Sequence, residues 1–129
     1  MIYHILTSAE WAQASAHPSY APDGFAADGY IHCCNAEQFE YVSGRYFRGK
    51  QDLVVLCIDI SKLNAPVKYE DLNCEGRLFP HLYGALNTDA VEKVVHFPPN
   101  ADGTFQIPRE ITTESRNSGL SSSDETTKP

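Results

Sequence analysis

A chain of 129 residues with 42% hydrophobic and 11% aromatic residues carries enough apolar material for one small core, so a single domain is expected. Ten Lys and Arg against 17 Asp and Glu give a formal net charge of −7. That balance argues against nucleic acid as a partner, because clustered cations that neutralise phosphates dominate such binding. No apolar run approaches the length of a membrane span, so no membrane partner is expected.

In chain order, Ile2 to Leu6 reads as a strand with Ile2, His4 and Leu6 on one face and Tyr3 and Ile5 on the other. Thr7-Ser8-Ala9-Glu10 is a capping-box pattern, which opens a helix through Trp11 and Ala14 that should stop near His17-Pro18. Residues 18–29, with Pro18, Pro22, Gly24 and Gly29, read as a loop of functional length. Tyr30 to Cys34 reads as a short strand. Asn35 with Gln38 is a second cap signal, followed by Phe39, Val42, Tyr46 and Phe47 at helical spacing. Arg48-Gly49-Lys50 should end that helix, and the basic trio Arg45, Arg48 and Lys50 then suits the helix dipole better than a phosphate.

Leu53 to Ile60 is almost wholly apolar, as a strand covered on both faces must be. Val67 to Glu70 is a further strand, and 71–78 is a loop. Phe79-Pro80-His81-Leu82-Tyr83-Gly84 reads as a turn-rich aromatic segment. Val91 to Phe97 and Thr104 to Ile107 are the last strand expectations, joined through Pro98-Pro99-Asn100 and Asp102-Gly103. The composition then turns polar, so the organisation expected is a domain over 1–110 and a disordered polar tail over 111–129. Helices early and strands late predict an α+β fold.

The opening Ile2-Tyr3-His4-Ile5-Leu6 is too short and too soon interrupted for a targeting core, so a cytoplasmic location is expected. Cys33, Cys34, Cys57 and Cys74 then read as free thiols in a reducing compartment. Cys33 and Cys34 would point to opposite faces of a strand, and no C-x-x-C spacing exists, so no metal site is expected. Three histidines sit inside apolar or aromatic segments: His4, His32 and His81. An imidazole there is costly unless its nitrogens find partners, so either each is satisfied within the core or they share a site. His17 and His96 read as structural or surface residues. Among the carboxylates Asp59, Glu70, Asp71 and Glu75, those from Glu70 to Glu75 precede the His81 segment and could orient it, or form a solvated acidic loop. A thiol nucleophile, Cys33 or Cys34 with His81, is a further reading, because a helix N-cap beside Cys34 would lower its pKa.

The opening Ile2-Tyr3-His4-Ile5, the segment Asp28-Gly29-Tyr30-Ile31-His32-Cys33, Gln38, Leu56 with Asp59, Glu70, and Phe79-Pro80-His81-Leu82-Tyr83-Gly84 occur in order over residues 2–107. Together they resemble the pattern of the bacterial and fungal domain-of-unknown-function family 952. Cys34 departs from it, standing where that family often carries serine. The family is similar to a compact relative of the ADP-ribosyltransferase fold, a split, mainly antiparallel β-sheet with two helices near the N-terminus. The resemblance implies that Tyr3-His4 holds the ribose and nicotinamide end of NAD, with Tyr30 and His32 on the nicotinamide side. The third position, usually Glu or Gln, has Glu70, Glu75 and His81 as candidates. RNA 2′-phosphotransferases of that fold need several arginines, which an acidic chain does not offer, so a small nucleotide is favoured over tRNA.

The sequence thus leads to a histidine-lined pocket that binds or transforms an NAD-type or other nucleotide-like small molecule. His4, His32, His81 and Glu70 are the expected catalytic residues, and Tyr3, Tyr30, Gln38 and Tyr83 the expected ligand-binding residues. No cofactor is required by the residues themselves; NAD is the one the resemblance implies. The alternatives are a non-catalytic ligand-binding module and a partner-binding domain.

Overall fold

The alternation read along the first strand sets the architecture of the computed structural model, which describes residues 1–111. The elements run β1 (Ile2–Thr7), α1 (Ser8–Ala14), β2 (Ser19–Tyr20), α2 (Phe25–Asp28), β3 (Ile31–His32), α3 (Phe39–Tyr46), β4 (Leu53–Ile58), β5 (Val67–Glu70), β6 (Phe79–Leu82), β7 (Leu86–Asn87) and β8 (Val91–His96). Three sheets form, ordered β1-β4-β8, β3-β6-β5 and β2-β7, and every pairing between these strands is antiparallel. The class is α+β with few helices.

β4 lies at the centre of the first sheet with all six residues buried, as an unbroken apolar run demands. Leu53, Val55 and Cys57 join Tyr3 and Ile5 of β1 in a core with Phe39, Phe97, Phe105 and Ile111. Val54, Leu56 and Ile58 join Ile2 and Leu6 in a second core with Ile31, Cys33, Leu82 and Leu86. One sheet therefore separates two cores. The other three-stranded sheet is tied to it by a single bridge, in which Tyr3 N–H donates to Cys34 O at 2.9 Å and Cys34 N–H to Tyr3 O at 2.8 Å.

Thr7 caps α1 as a full capping box: the Glu10 amide donates to Thr7 Oγ1 at 3.0 Å, and the Thr7 amide donates to Glu10 Oε1 at 2.8 Å. The helix ends at Ala14, a turn short of the proline expected to stop it, and Ser15 serves as its C-cap. The stretch 18–29 is not simply loop. Ser19 and Tyr20 pair with β7, and Phe25–Asp28 makes one helical turn closed by Gly29 at φ 83°, where a left-handed residue is needed.

The Phe79 segment corrects the sequence reading: Phe79–Leu82 is the middle strand of its sheet. Pro80 hides it, because proline lacks a ladder donor. Its carbonyl still accepts from Cys33 N–H at 3.1 Å, so the missing donor falls where the two-residue β3 stops. Gly84 then turns the chain away, and a Cβ there would come within 2.5 Å of the Ala65 Cβ. Thr104 to Ile107 is not a strand; Phe105 is nonetheless buried, stacked 4.9 Å from Phe97.

The expected boundary after residue 110 falls one residue before Ile111, which is fully buried. Residues 112–129, the rest of the expected tail, lie outside the described residues. Replacing Ile111 with Ala should cost about 2–5 kcal/mol, through lost burial and the cavity left behind. Urea unfolding measures this, and an unchanged midpoint would remove Ile111 from the core.

Candidate functional site

The register of the second sheet brings the candidate side chains to one face. His32 pairs with His81, and Lys68 and Glu70 pair with His81 and Phe79. Because side chains alternate, Phe79, His81 and Tyr83 share a face with Tyr30, His32, Lys68 and Glu70, while Ile31 and Leu82 point to the core. Glu70 sits diagonally across from His81, within reach of a long side chain. His81 Nδ1 donates to Glu70 Oε1 at 2.9 Å, and the Tyr83 hydroxyl donates to the same oxygen at 2.7 Å. These two donors hold the Glu70 carboxyl below the usual carboxylate range, and the bond to Glu70 pushes the Tyr83 phenol up to about 12. Tyr30 stacks on His81 with ring centroids 4.2 Å apart and touches His32 and Tyr83 at 4.8 and 5.3 Å.

His4 reaches the same region from the first sheet. Its Nδ1 lies 2.7 Å from His32 O, and a carbonyl only accepts, so Nδ1 carries the proton. Burial lowers the His4 pKa, which keeps the ring neutral and leaves Nε2 as an acceptor. The Tyr20 hydroxyl, its pKa pushed up to about 12 by burial, stands 3.5 Å from that nitrogen. His32 Nε2 lies 3.1 Å from Asp28 Oδ2 on the exposed side.

A cavity of about 370 Å³ opens among these elements, and His4, His32 and His81 all contribute to its wall. Pro22, Gly24, Phe25 and Asp28 form one rim; Leu72, Asn73 and Glu75 form another. The second rim is shaped by Asp71, whose carboxylate accepts from the Glu75 and Gly76 amides at 2.7 and 2.8 Å. Glu75, with its side chain only 7% exposed, accepts hydroxyl hydrogen bonds from Tyr41 and from Tyr46, the latter at 3.0 Å. Those donors hold its carboxyl below the usual range.

Of the ligand-binding residues expected from the sequence, Tyr3 and Tyr30 line the cavity. Tyr83 and Glu70 stand behind it, braced against His81 and Tyr30. Gln38 is elsewhere: its Oε1 accepts from the Asn35 amide at 2.9 Å and its Nε2 donates to Leu78 O at 2.8 Å, so it serves the cap and the 71–78 loop. Asp28, Asn73 and Tyr46 also line the wall and were not among the expected site residues. Asp28 lay four residues before His32, the one signal that could have paired them.

The thiol-nucleophile reading does not hold. Burial pushes Cys33 up to about 12 and Cys34 higher still, so both stay protonated near neutral pH. Cys33 and Cys34 pack into the two different cores, and all four cysteines are free. Among the described residues, no group of three or more His, Cys, Asp or Glu is arranged to hold a metal, and no helix is long and apolar enough to cross a membrane.

An α+β domain whose two three-stranded sheets bring three histidines to one cavity is the class that fold and geometry define. The chain belongs to the family described as protein of unknown function DUF952, whose profile matches residues 5–94. It is similar to the crystal structure of protein CC0527 from Caulobacter crescentus, at 33% identity and a TM-score of 0.76 over 86% of this chain and 97% of that one. The solution structure of CC0527 matches at 34% identity and a TM-score of 0.69, covering 81% and 90% of the two chains. No curated protein matches.

Two measurements test this geometry. Cys74, the exposed thiol, should react with a thiol reagent in the folded protein, while Cys33, Cys34 and Cys57 react only on unfolding; rapid native labelling of Cys33 or Cys34, read by mass spectrometry, would contradict the burial. His4 makes acid destabilising well above the carboxylate range. Its folded pKa lies below its ordinary value of 6.5, so the unfolded chain binds the proton first, and stability is lost as pH falls from about 6.5 toward the folded value. Urea midpoints at pH 7.5 and 5.5 should therefore differ more for the wild type than for His4→Gln; an equal difference would mean that His4 is not held neutral.

Proposed function

We propose that the cavity binds an NAD-type or other nucleotide-like small molecule, and that the Glu70–His81 pair moves a proton there. The observation that carries this reading is the meeting of His4, His32 and His81 in the wall of one cavity, from three separate strands. The volume of about 370 Å³ falls in the range of small-molecule sites. Aromatic walls beside imidazole nitrogens suit a planar base and ribose hydroxyls.

The chemistry follows from the tautomer. With Nδ1–H committed to Glu70, a neutral His81 keeps its lone pair on Nε2, the form that accepts a proton from a substrate hydroxyl. Glu70 then stabilises the imidazolium that forms. The ADP-ribosyltransferase-like relationship implied by the sequence pattern is part of this proposal, and two antiparallel sheets joined at a single bridge are compatible with a split sheet. Under it, His4 and Tyr3 attend the ribose, and His81 with Glu70 acts at the reacting hydroxyl.

One observation favours a second reading, a non-catalytic binding module. Each of the three imidazoles already has a partner within the protein, so the cavity can hold a ligand without using them as acids or bases.

Thermal unfolding with NAD, ADP-ribose and mononucleotides tests the proposal. A ligand at a hundred times its Kd adds about 2.7 kcal/mol of stability. His81→Ala should abolish that gain. Glu70→Gln should preserve binding and, if the pair is catalytic, lower turnover by about 10²-fold or more. Turnover that survives Glu70→Gln intact removes the pair from the chemistry, stabilisation by a ligand that the wild type does not turn over favours the binding module, and no stabilisation by any of these ligands overturns the proposal.

A further inference from the structure

Two of the three histidines are backed by a carboxylate, and they stand side by side. His32 and His81 are register partners on β3 and β6, and their rings meet edge to face with centroids 5.6 Å apart. Glu70 of β5 backs His81, and Asp28 of α2 backs His32, with Nε2 3.1 Å from Oδ2. A carboxylate only accepts, so the His32 proton lies on Nε2, and Nδ1 has no protein partner among the described residues. The free nitrogens are therefore Nε2 on His81 and Nδ1 on His32, and both residues line the cavity.

Their exposure differs. The His81 side chain is 6% exposed, whereas that of His32 is 57% exposed and that of Asp28 44%. Water therefore reaches His32 and can restore its proton after a turnover. Around His32 stand Asp28 from α2, His4 from β1, Tyr30, and His81 with Glu70 behind it. His4 is held neutral by burial, and Lys68, the cation of that sheet face, lies over the Tyr83 ring. The charge nearest to His32 is thus a carboxylate, which favours its protonated form. Two imidazoliums so close repel, so the pair holds one added proton at a time.

We propose that His32, held by Asp28, is the acid of the reaction: its Nδ1–H protonates a leaving group while His81 Nε2 takes the proton of the attacking hydroxyl. This rests on the reading above, in which Glu70 and His81 act as the base, and it names the substrate class. The substrate is an N-riboside of a neutral base, which departs as an anion unless it is protonated. In the step a water oxygen bonds to C1′ of the ribose, and the C1′–N bond breaks with its electron pair going to the base nitrogen. One proton passes from water to His81 and one from His32 to the departing base, so the site carries a single imidazolium before and after. Exchange with solvent then resets both rings. A pyridinium riboside does not need this acid, because its base leaves neutral.

Release of adenine from adenosine, measured across pH on the full chain beside release of nicotinamide from nicotinamide riboside, tests this. The wild type should cleave adenosine with a bell-shaped kcat/KM profile, whose alkaline limb reports loss of the acid's proton. His32→Asn should remove that limb and lower adenosine turnover by about 10²-fold or more, with a loss about tenfold smaller on nicotinamide riboside. Asp28→Asn keeps the imidazole and removes its counter-charge, so it should move the alkaline limb to lower pH. Both substitutions fall on an exposed pair, and urea midpoints matching the wild type separate loss of the acid from loss of the fold. Equal losses on the two ribosides, or an alkaline limb that persists in His32→Asn, overturn the role of His32 as acid and leave the ligand-binding reading standing. A wild type that adenosine stabilises but that releases no adenine does the same. If adenosine neither stabilises the protein nor reacts, the proposal falls, and thermal unfolding with NAD, ADP-ribose and mononucleotides decides the ligand-binding reading by itself.

Discussion

Two backbone hydrogen bonds between Tyr3 and Cys34 set the position of nearly everything that faces the cavity. They fix the first sheet against the second. His4, the next residue along β1, then reaches the carbonyl of His32, two residues before Cys34. His32 is paired in register with His81, and His81 is braced by Glu70 from the neighbouring strand. The three histidines are thus assembled by register, one strand at a time, while α2, α3 and the 71–78 loop complete the wall.

That assembly explains how a small domain tolerates polar groups so close to its apolar interior. His4 is neutral and hydrogen-bonded, so its burial does not strand a charge. Glu70 and Glu75 remain ionised because each gathers several donors. The tyrosines act as those donors: Tyr83 serves Glu70, and Tyr41 and Tyr46 serve Glu75. Phenols suit this work, since their rings pack as apolar surface while their hydroxyls satisfy a carboxylate.

Much of this was legible in the sequence where a period was strong. β1 and β4 announced themselves by alternation and by an unbroken apolar run, β5 matched its expected limits, and the Thr7–Glu10 box marked the start of α1. β2 and β7 were not legible, because two residues carry no period and their pairing is decided by distant partners. β6 was masked by Pro80, whose cost depends on a neighbour that ends beside it. Thr104 to Ile107 had strand-like composition without a ladder to join, and only Phe105 kept its expected place inside. At the site, the histidines were visible because an imidazole in an apolar run is an anomaly. Gln38 was claimed by a cap that the same sequence had already signalled, and Asp28 could be connected to His32 only once α2 turned it back.

The adjacent cysteines have a consequence for how such a chain can vary. Cys33 belongs to one core and Cys34 to the other, so the backbone here passes through the partition between them. Inserting or deleting one residue between Tyr30 and Asn35 would exchange the inward and outward sets of the whole strand. His32 would swing toward the interior, and a core residue would take its place at the cavity. Length can change instead at the 98–104 turn, where no strand depends on phase. The spacing from Tyr30 to Cys34 is therefore a stricter requirement than the identity of most residues that occupy it.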